Sequence, residues 1–209
     1  MTNLRVPPGR AGRLWLRHRL ATAERGAELL EQKSRALREH QARLAERARA
    51  AREEWEERAG EAREWLLREA LAGGQRELRL AEPAEPVEVT FTWTTVMGVR
   101  YPADAAVTGT PMGPPSTAGS TAVVRTGRAF RAALEAGARH AAAVRAQRTV
   151  DAEIAATTQR IRSLRRHWIP RLTAALRHAE LELEEQERAE GIRHRWAAAH
   201  QTRPSAERS

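Results

Sequence analysis

The sequence contains no cysteine. This absence excludes a disulfide framework, a thiolate zinc site and a cysteine nucleophile, and it favours an intracellular protein. Aromatic residues make up only 4 % of the chain, and no apolar run is long enough to span a bilayer. The N-terminal segment also lacks the apolar stretch of a secretory signal. The sequence therefore predicts neither export nor direct insertion into a membrane.

Lysine is almost absent as well, because Lys33 is the only one among 36 basic residues. This preference for arginine is typical of a GC-rich bacterial genome. The 27 acidic residues leave a net charge of +9. Much of the 41 % apolar content is alanine, which leaves too few large side chains for a thick globular core. Because Ala, Glu, Arg and Leu are strong helix formers, the composition predicts long helices that bury narrow apolar stripes.

The distribution of proline divides the chain into three parts. No proline occurs between residues 11 and 72, and Gly73-Gly74 then forms a natural helix stop. From about residue 119 to residue 200, only Pro170 interrupts a helical composition. We therefore predict a helix over 1–72, an insert over 73–118, and a second helix with a polar tail over 119–209.

The first helix carries an apolar repeat with a mean period of 3.5 residues. Steps of four and three residues, starting at Leu16, reach fifteen positions, of which twelve are apolar. Such a repeat predicts the buried seam of a left-handed coiled coil. The seam positions are Leu16, Leu20, Ala23, Ala27, Leu30, Ser34, Leu37, Gln41, Leu44, Ala48, Ala51, Trp55, Arg58, Ala62 and Trp65.

The second helix shows the same stepping on both sides of Pro170. Because proline lacks a backbone N–H and clashes with the preceding turn, we predict a kink at this residue. The seam positions before it are Val150, Ile154, Thr157, Ile161, Leu164 and Trp168, and those after it are Leu172, Leu176, Ala179 and Leu183.

Charge predicts how the two helices pair. Residues 1–25 are net +5 and residues 180–190 are net −5, whereas 52–69 are net −3 and 125–171 are net +8. An antiparallel pairing places opposite charges together at both ends, and a parallel pairing places like charges together. The predicted fold class is therefore mainly α, a long antiparallel two-helix coiled coil with a small insert.

The insert contains a predicted β-hairpin. Residues 87–96 are rich in Val, Thr and aromatic residues and alternate in part, which indicates a strand. Met97-Gly98 is a candidate turn, and Val99-Arg-Tyr101 is a candidate return strand, whereas 108–120 reads as a loop. We expect the hairpin to cap one end of the helix pair.

The sequence shows no pattern that indicates catalysis. Lys33 follows Gln32, so the phosphate-binding Gly-Lys-Ser/Thr signature is missing. The seven histidines have no compact metal-ligand spacing, and the paired carboxylates of 180–190 fit a solvated helix face. We therefore expect no cofactor and no metal. The arginines of 160–171 leave open an arginine-rich coiled coil that binds nucleic acid or forms a scaffold.

Three segments resemble the D subunit of the V/A-type rotary ATPases. The first runs from Val6-Pro-Pro-Gly-Arg10 through Arg19-Leu20, Arg25-Gly26 and Leu29-Leu30 to Lys33. The second is Met97-Gly-Val-Arg-Tyr-Pro102, similar to the family's M-G-V-x-x-P. The third joins Arg160-Ile161, Ile169-Pro170 and Leu172 to Leu183-Glu-Glu-Gln-Glu-Arg188. The sequence departs from the family pattern at Pro8-Gly9, Glu31 and Arg162.

This resemblance implies a non-catalytic rotor subunit that transmits torque between a catalytic A/B hexamer and the membrane rotor ring. It implies contacts with the A and B subunits, with the F subunit and with a membrane-side socket subunit of the C/d type, but not with nucleic acid. The complex is expected at the cytoplasmic side of the plasma membrane. The resemblance also implies that Gly26 permits a close helix crossing. The residues expected at the hexamer tip are Arg10, Arg13, Arg193, Arg195 and Trp196, and those expected at the membrane side are Met97, Gly98 and Pro102.

Overall fold

The computed structural model describes residues 5–72, 87–109 and 121–201. Its elements, in chain order, are α1 (Gly9–Ala72), β1 (Glu88–Val96), β2 (Val99–Thr108), α2 (Thr121–Ser163), a π-helical segment (Leu164–Trp168) and α3 (Ile169–Gln201). The predicted class, long helices with a small antiparallel hairpin between them, is confirmed. Gly73-Gly74 and nearly all of the loop predicted at 108–120 lie outside the described residues.

The chain forms two compact units. The terminal unit consists of residues 1–32 and 158–209, and the hairpin unit consists of residues 33–157. Each unit contains part of α1 and part of the C-terminal half of the chain. Each is therefore described separately below.

In the terminal unit, the start of α1 pairs with α3 in antiparallel fashion. Arg10 forms an ion pair with Glu187 at 3.0 Å, and Arg17 forms one with Glu180 at 2.6 Å. The residue numbers on α3 decrease as those on α1 increase, so the two helices are antiparallel. These pairs join the basic block of residues 1–25 to the acidic block of 180–190. The buried core consists of Leu16, Ala23 and Leu172, with Trp15, Leu20, Trp168 and Leu176 packed around it.

The N-terminal segment folds back over the first turns of α1. Gly9 has φ +70°, a conformation that side chains disfavour, and it begins the helix. A Cβ on Gly12 would lie 1.9 Å from the carbonyl oxygen of Pro7. The close approach therefore requires glycine at position 12, and it allows Val6 to pack beside the core of the terminal unit. By contrast, a Cβ on Gly26 meets no described atom within 4 Å, so the predicted close crossing at Gly26 is wrong.

A π-helical segment connects α2 to α3. The backbone N–H of Ile169 donates to the carbonyl oxygen of Leu164, five residues earlier. The sequence explains this π turn. The seam positions alternate in steps of four and three residues, but the step from Trp168 to Leu172 is four residues instead of three. A π turn accommodates the one extra residue. Pro170 follows directly after the residue that closes the π turn, and the predicted kink there stays a prediction.

In the hairpin unit, β1 and β2 are joined by a two-residue turn. Met97 has φ 50° and Gly98 has φ 78°, as in the type I′ turn whose twist suits a hairpin. Strand β2 extends to Thr108, well past the predicted Tyr101. The register shifts between Thr92 and Trp93, because Ala103 on β2 has no partner on β1.

The hairpin packs against the side of the two helices. Val99 and Tyr101 join a buried cluster with Leu37, Leu44, Ala146 and Val150, while Ala105 packs with Ala138 and Ala142. The prediction that the hairpin caps one end of the helix pair is therefore wrong. The physical reason is the alanine-rich stretch of α2, because small side chains leave apolar surface that the hairpin covers.

Candidate interaction surfaces

The hairpin is anchored by a polar contact inside its apolar interface. The Tyr101 hydroxyl lies 2.5 Å from Nε2 of His40, and Arg43 donates to Nδ1 of the same ring at 3.2 Å. Since Nδ1 accepts, Nε2 carries the proton and donates to Tyr101. Burial, and then the charges of Arg43 and Arg47, lower the pKa of His40. Burial also raises the pKa of Tyr101, so both groups stay neutral near pH 7.

Two arginines fasten the backbone of β2 to the helices. Arg47 of α1 donates to the carbonyl oxygen of Ala103 at 3.1 Å. Arg131 of α2 donates to the carbonyl oxygens of Val107 and Gly109 at 2.8 and 2.9 Å. These charge-assisted bonds hold the middle and the C-terminal end of β2 to the helices. Sequence reasoning missed them, because a guanidinium that binds a distant carbonyl leaves no spacing signal.

Several large side chains of the hairpin are exposed. Phe91 is 45 % exposed and Trp93 is 51 % exposed, and the guanidinium of Arg100 lies 5.0 Å from the ring centre of Trp93. Met97, expected at the membrane side, is exposed at the turn beside Gly98. Pro102, grouped with them, is instead buried. The structure therefore separates Pro102 from the exposed turn, and the subunit that meets Met97 and Gly98 stays a prediction.

The residues expected at the hexamer tip lie at the start of α1 and near the end of α3, at the same end of the terminal unit. Arg10 is paired with Glu187, and Arg13 is half-buried. Arg193 and Arg195 are exposed on α3, and Trp196 is 66 % exposed. Because Arg10 pairs with Glu187, the last turns of α3 extend beyond the start of α1. The residues of α3 from 188 to 198 are exposed, apart from half-buried Gly191.

The seam residues differ in their degree of burial. Leu16, Leu37, Leu44 and Leu172 are buried. A second group is half-buried, namely Leu20, Leu30, Ile154, Ile161 and Trp168. The α1 seam positions from Leu16 to Ala51 are all buried or half-buried, after which Trp55 and Arg58 are exposed. The apolar stepping thus follows the burial of α1 closely up to residue 51.

Trp55 is exposed although it occupies a seam position, because its ring packs on the surface of α2. Its ring stacks on His140 with centroids 5.3 Å apart, and a Cβ on Gly137 would lie 3.1 Å from its indole nitrogen. Trp55 is therefore 39 % exposed while it lies flat on α2. Gly137 within an alanine-rich helix was the available signal, since glycine there permits close approach of a large ring.

Two glutamates of α1 form ion pairs with the opposite helix and not along α1. Glu31 pairs with Arg165 at 3.1 Å, and Glu54 pairs with Arg139 at 2.7 Å. Both glutamates have an arginine four residues later in the sequence, but the structure joins them to the opposite helix. Arg165 belongs to the basic stretch that raised the nucleic-acid alternative, and here it serves a contact within the protein.

The fold and these surfaces define a class of protein: an antiparallel helix pair with a docked hairpin and exposed side chains suited to protein contacts. Within residues 5–72, 87–109 and 121–201, no three His, Cys, Asp or Glu side chains form a metal-binding group. No helix of this described part is long and apolar enough to cross a membrane.

The family model for the D subunit of ATP synthase matches residues 14–199. The chain therefore belongs to this family, and it is a central-stalk subunit of a V/A-type rotary ATPase. Members of the family are generally not catalytic. No curated protein matches the chain.

Proposed function

We propose that this subunit is the rotor shaft that transmits torque between the catalytic A/B hexamer and the membrane rotor ring. In this role it couples ATP turnover to the passage of protons or sodium ions, and it takes no part in bond-making. The observation that carries the proposal is the antiparallel pairing of α1 within both units. Two helices packed along an apolar seam resist twisting, because rotation of one against the other exposes buried side chains.

The ion pairs across the helices support the same role. Arg10–Glu187, Arg17–Glu180 and Arg165–Glu31 tie α1 to the second half of the chain in the terminal unit. Lys33–Glu153 and Arg139–Glu54 do so in the hairpin unit. Each exposed pair contributes only about 0.2–1 kcal/mol. Their value for a shaft is that they oppose sliding of one helix along the other.

The end of the terminal unit is the part that we propose to enter the A/B hexamer. The exposed end of α3 presents Arg193, Arg195 and Trp196, with Arg10 and Arg13 at the start of α1. An exposed tryptophan among arginines is typical of a protein-binding surface. Such a tip can contact different subunits of a hexamer in turn.

Contacts with the membrane-side socket protein are proposed near the other end of α1, where Leu71 is 89 % exposed. The F subunit is proposed to bind the side of the helix pair. The complete complex would then lie at the cytoplasmic face of the plasma membrane as a peripheral assembly.

A disulfide lock tests the proposal. Because the chain has no cysteine, Trp196→Cys introduces a single thiol at the proposed tip. It is combined with single cysteines placed along the inner bore of the hexamer, in complexes reconstituted into vesicles. Oxidation is expected to abolish ATP hydrolysis and ATP-driven ion uptake, and a reductant is expected to restore both.

The matched control is Leu71→Cys in the same hexamer variants. This side chain is exposed near the opposite end of α1, so no cross-link to the bore is expected and activity should persist after oxidation. A cross-link through Trp196→Cys that leaves ATP-driven ion uptake intact would show that the shaft does not need to turn. Failure of the chain to co-elute with the A and B subunits would reject the proposal altogether.

A further inference from the structure

The seam of the hairpin unit contains buried polar side chains, whereas the α1 seam of the terminal unit consists of leucine and alanine alone. Ser34 is 4 % exposed, and Thr157 is fully buried. Gln41 is half-buried, and its side-chain amide donates to Oδ1 of Asp151 at 2.5 Å. Buried polar groups reduce stability unless they are well paired, so their presence in an apolar seam requires an explanation.

These residues form two layers across the helix pair of this unit. Gln41 is bonded to Asp151, the chain neighbour of Val150. Ser34 lies seven residues before Gln41, and Thr157 lies seven residues after Val150. Because the helices of this unit are antiparallel, Ser34 and Thr157 lie at the same height along the pair. We refer to Gln41 with Asp151 as the glutamine layer, and to Ser34 with Thr157 as the serine layer.

The serine layer is polar but incompletely paired. The hydroxyl of Thr157 donates to Oε1 of Glu153 at 3.4 Å, and Lys33 of α1 forms an ion pair with the same oxygen at 2.7 Å. The hydroxyl of Ser34 has no hydrogen-bond partner among the residues that the structure describes. An alanine in its place would avoid that cost, so this layer is not optimised for stability.

The apolar part of the seam does not identify a unique pairing of the helices. Leu37, Leu44 and Ala51 follow one another at intervals of seven residues. A shift of α1 by seven residues along α2 would therefore place Leu44 where Leu37 was, with little loss of apolar contact. In the same shifted pairing, Arg139 would lose Glu54 but meet Glu61, so this ion pair could form again.

The two polar layers do distinguish the native pairing from the shifted one. The same shift places Ala48 opposite Asp151, which loses its bond to Gln41. It also moves Gln41 to the buried height now occupied by Ser34, where a much smaller side chain fits. The shifted pairing is therefore unfavourable mainly because of these layers.

We propose that the serine and glutamine layers determine the register of α1 against α2, that is, which of their residues lie side by side, at a cost in stability. A polar residue within the seam of a coiled coil specifies register in this way. The inference concerns the chain by itself, so it goes beyond the shaft function and does not depend on it.

A distance measurement between two spin labels tests the register. Because the chain has no cysteine, Arg49→Cys and Arg128→Cys introduce two exposed attachment sites on α1 and α2 of the hairpin unit. In the otherwise unchanged full chain, pulsed electron paramagnetic resonance should give a single distance. The shifted pairing moves Arg49 away from the height of Arg128 by seven residues, which lengthens the separation along the axis by about 10 Å.

The test variant replaces both layers by apolar residues, with Ser34→Ala, Gln41→Leu, Asp151→Leu and Thr157→Val in the labelled chain. We expect it to stay helical and to show the longer distance in at least about one tenth of the molecules. The matched control is Arg139→Ala, which removes an exposed ion pair between the helices and leaves both layers in place. It should show the native distance alone, at low salt and at 1 M salt.

Denaturant unfolding of Ser34→Ala measures the cost in stability. This single substitution should raise the folding equilibrium constant of the hairpin unit at least about fivefold, because the hydroxyl has no described partner to lose. A lower constant would show that the hydroxyl is satisfied in solution, and it would contradict the claim that register is obtained at a cost.

The remaining outcomes also decide the inference. The native distance alone in the apolar variant would overturn it and assign the register to the hairpin and the apolar contacts. The longer distance in Arg139→Ala would overturn it in favour of the exposed ion pairs. Loss of helical structure in the apolar variant, measured by circular dichroism, would show that the layers are needed for stability itself, and it would overturn the inference as well. None of these results bears on the shaft function, which assembly with the A and B subunits tests separately.

Discussion

The two units build their cores with different numbers of elements. In the terminal unit, Leu16 and Leu172 are buried between helices, with Trp15, Trp168 and Val6 of the N-terminal segment packed beside them. In the hairpin unit, Leu37 and Leu44 meet alanine and valine on α2, and Val99 and Tyr101 of the hairpin complete the cluster.

The difference shows what large and small side chains do on paired helices. Tryptophan and leucine on both helices bury enough apolar surface for two helices to suffice. Buried alanines of α2, such as Ala138, Ala142 and Ala146, cover little surface, so a third element must exclude water. The hairpin is therefore part of the core of its unit as well as a candidate contact surface.

The largest effect is expected from removing the side chain that the hairpin contributes. Tyr101→Ala should lower the free energy of unfolding of the hairpin unit by about 3–5 kcal/mol, since Tyr101 is only 3 % exposed. Denaturant unfolding followed by hydrogen exchange measures the loss in each unit. Trp93→Ala, on the exposed side, is the control and should change little. Equal destabilisation of both units would contradict the conclusion that Tyr101 belongs to the core of the hairpin unit and that each unit has its own core.

The terminal unit contains a pair of glycines with opposite expected responses. Gly12→Ala should destabilise it by about 1–3 kcal/mol, because the new Cβ collides with the Pro7 carbonyl oxygen. Gly26→Ala should stabilise it by about 1 kcal/mol, because alanine favours the helix and no described atom lies close enough to clash. Thermal unfolding of the two variants measures both changes. A gain for Gly12→Ala would show that the folded-back N-terminal segment is not held as described.

A smaller effect, limited to the hairpin unit, is expected from pH. The folded state lowers the pKa of His40 from 6.5, so the unfolded chain binds more protons and stability decreases as the pH falls below about 6.5. Tyr101 has a raised pKa when folded, so stability should also decrease as the pH rises past about 10.

Exchange rates of the β2 amides across this pH range measure the effect. His40→Gln should flatten the acid side, because glutamine can still donate a hydrogen bond but does not titrate. An unchanged acid side in this variant would exclude His40 as the titrating group.

The smallest effect should be nearly the same in both units. Arg17→Ala in the terminal unit and Arg139→Ala in the hairpin unit each remove one ion pair between helices. Each should cost about 0.2–1 kcal/mol at low salt and less at 1 M salt, where exposed charges are screened. Denaturant unfolding at two salt concentrations measures this. A loss above about 2 kcal/mol in either variant would mean that the pair is more shielded from water than its exposure indicates.

Much of the fold could be predicted from local sequence patterns. The apolar stepping from Leu16 predicted α1 and most of its burial, and the Val- and Thr-rich segment before Met97-Gly98 predicted the hairpin. The extension of β2 could not be predicted, because alanine and aspartate after Pro102 have low strand propensity and are held there by Arg47 and Arg131.

The position of the hairpin and the path of Trp55 depend on contacts between distant parts of the chain. The sequence does contain a glycine at 137 and small residues on α2, but neither identifies its partner. The residues expected at the hexamer tip follow from the family resemblance, and their roles stay predictions. The π-helical segment was predictable in principle, since one extra residue separates Trp168 from Leu172 in the stepping.

The π turn absorbs the single extra residue, so the apolar seam of α3 continues on the face set by the seam of α2. Within α3 no such turn is present, and each residue rotates the chain by about 100° about the helix axis. Deleting one residue between Leu172 and Ile192 would therefore rotate the exposed Ile192 and Trp196 by that angle relative to Leu172. Chimeric stalks that exchange α3 between relatives must therefore conserve this residue count. A chimera that keeps every exposed side chain but has one residue too many or too few in the helix would present a different helix face to its partner.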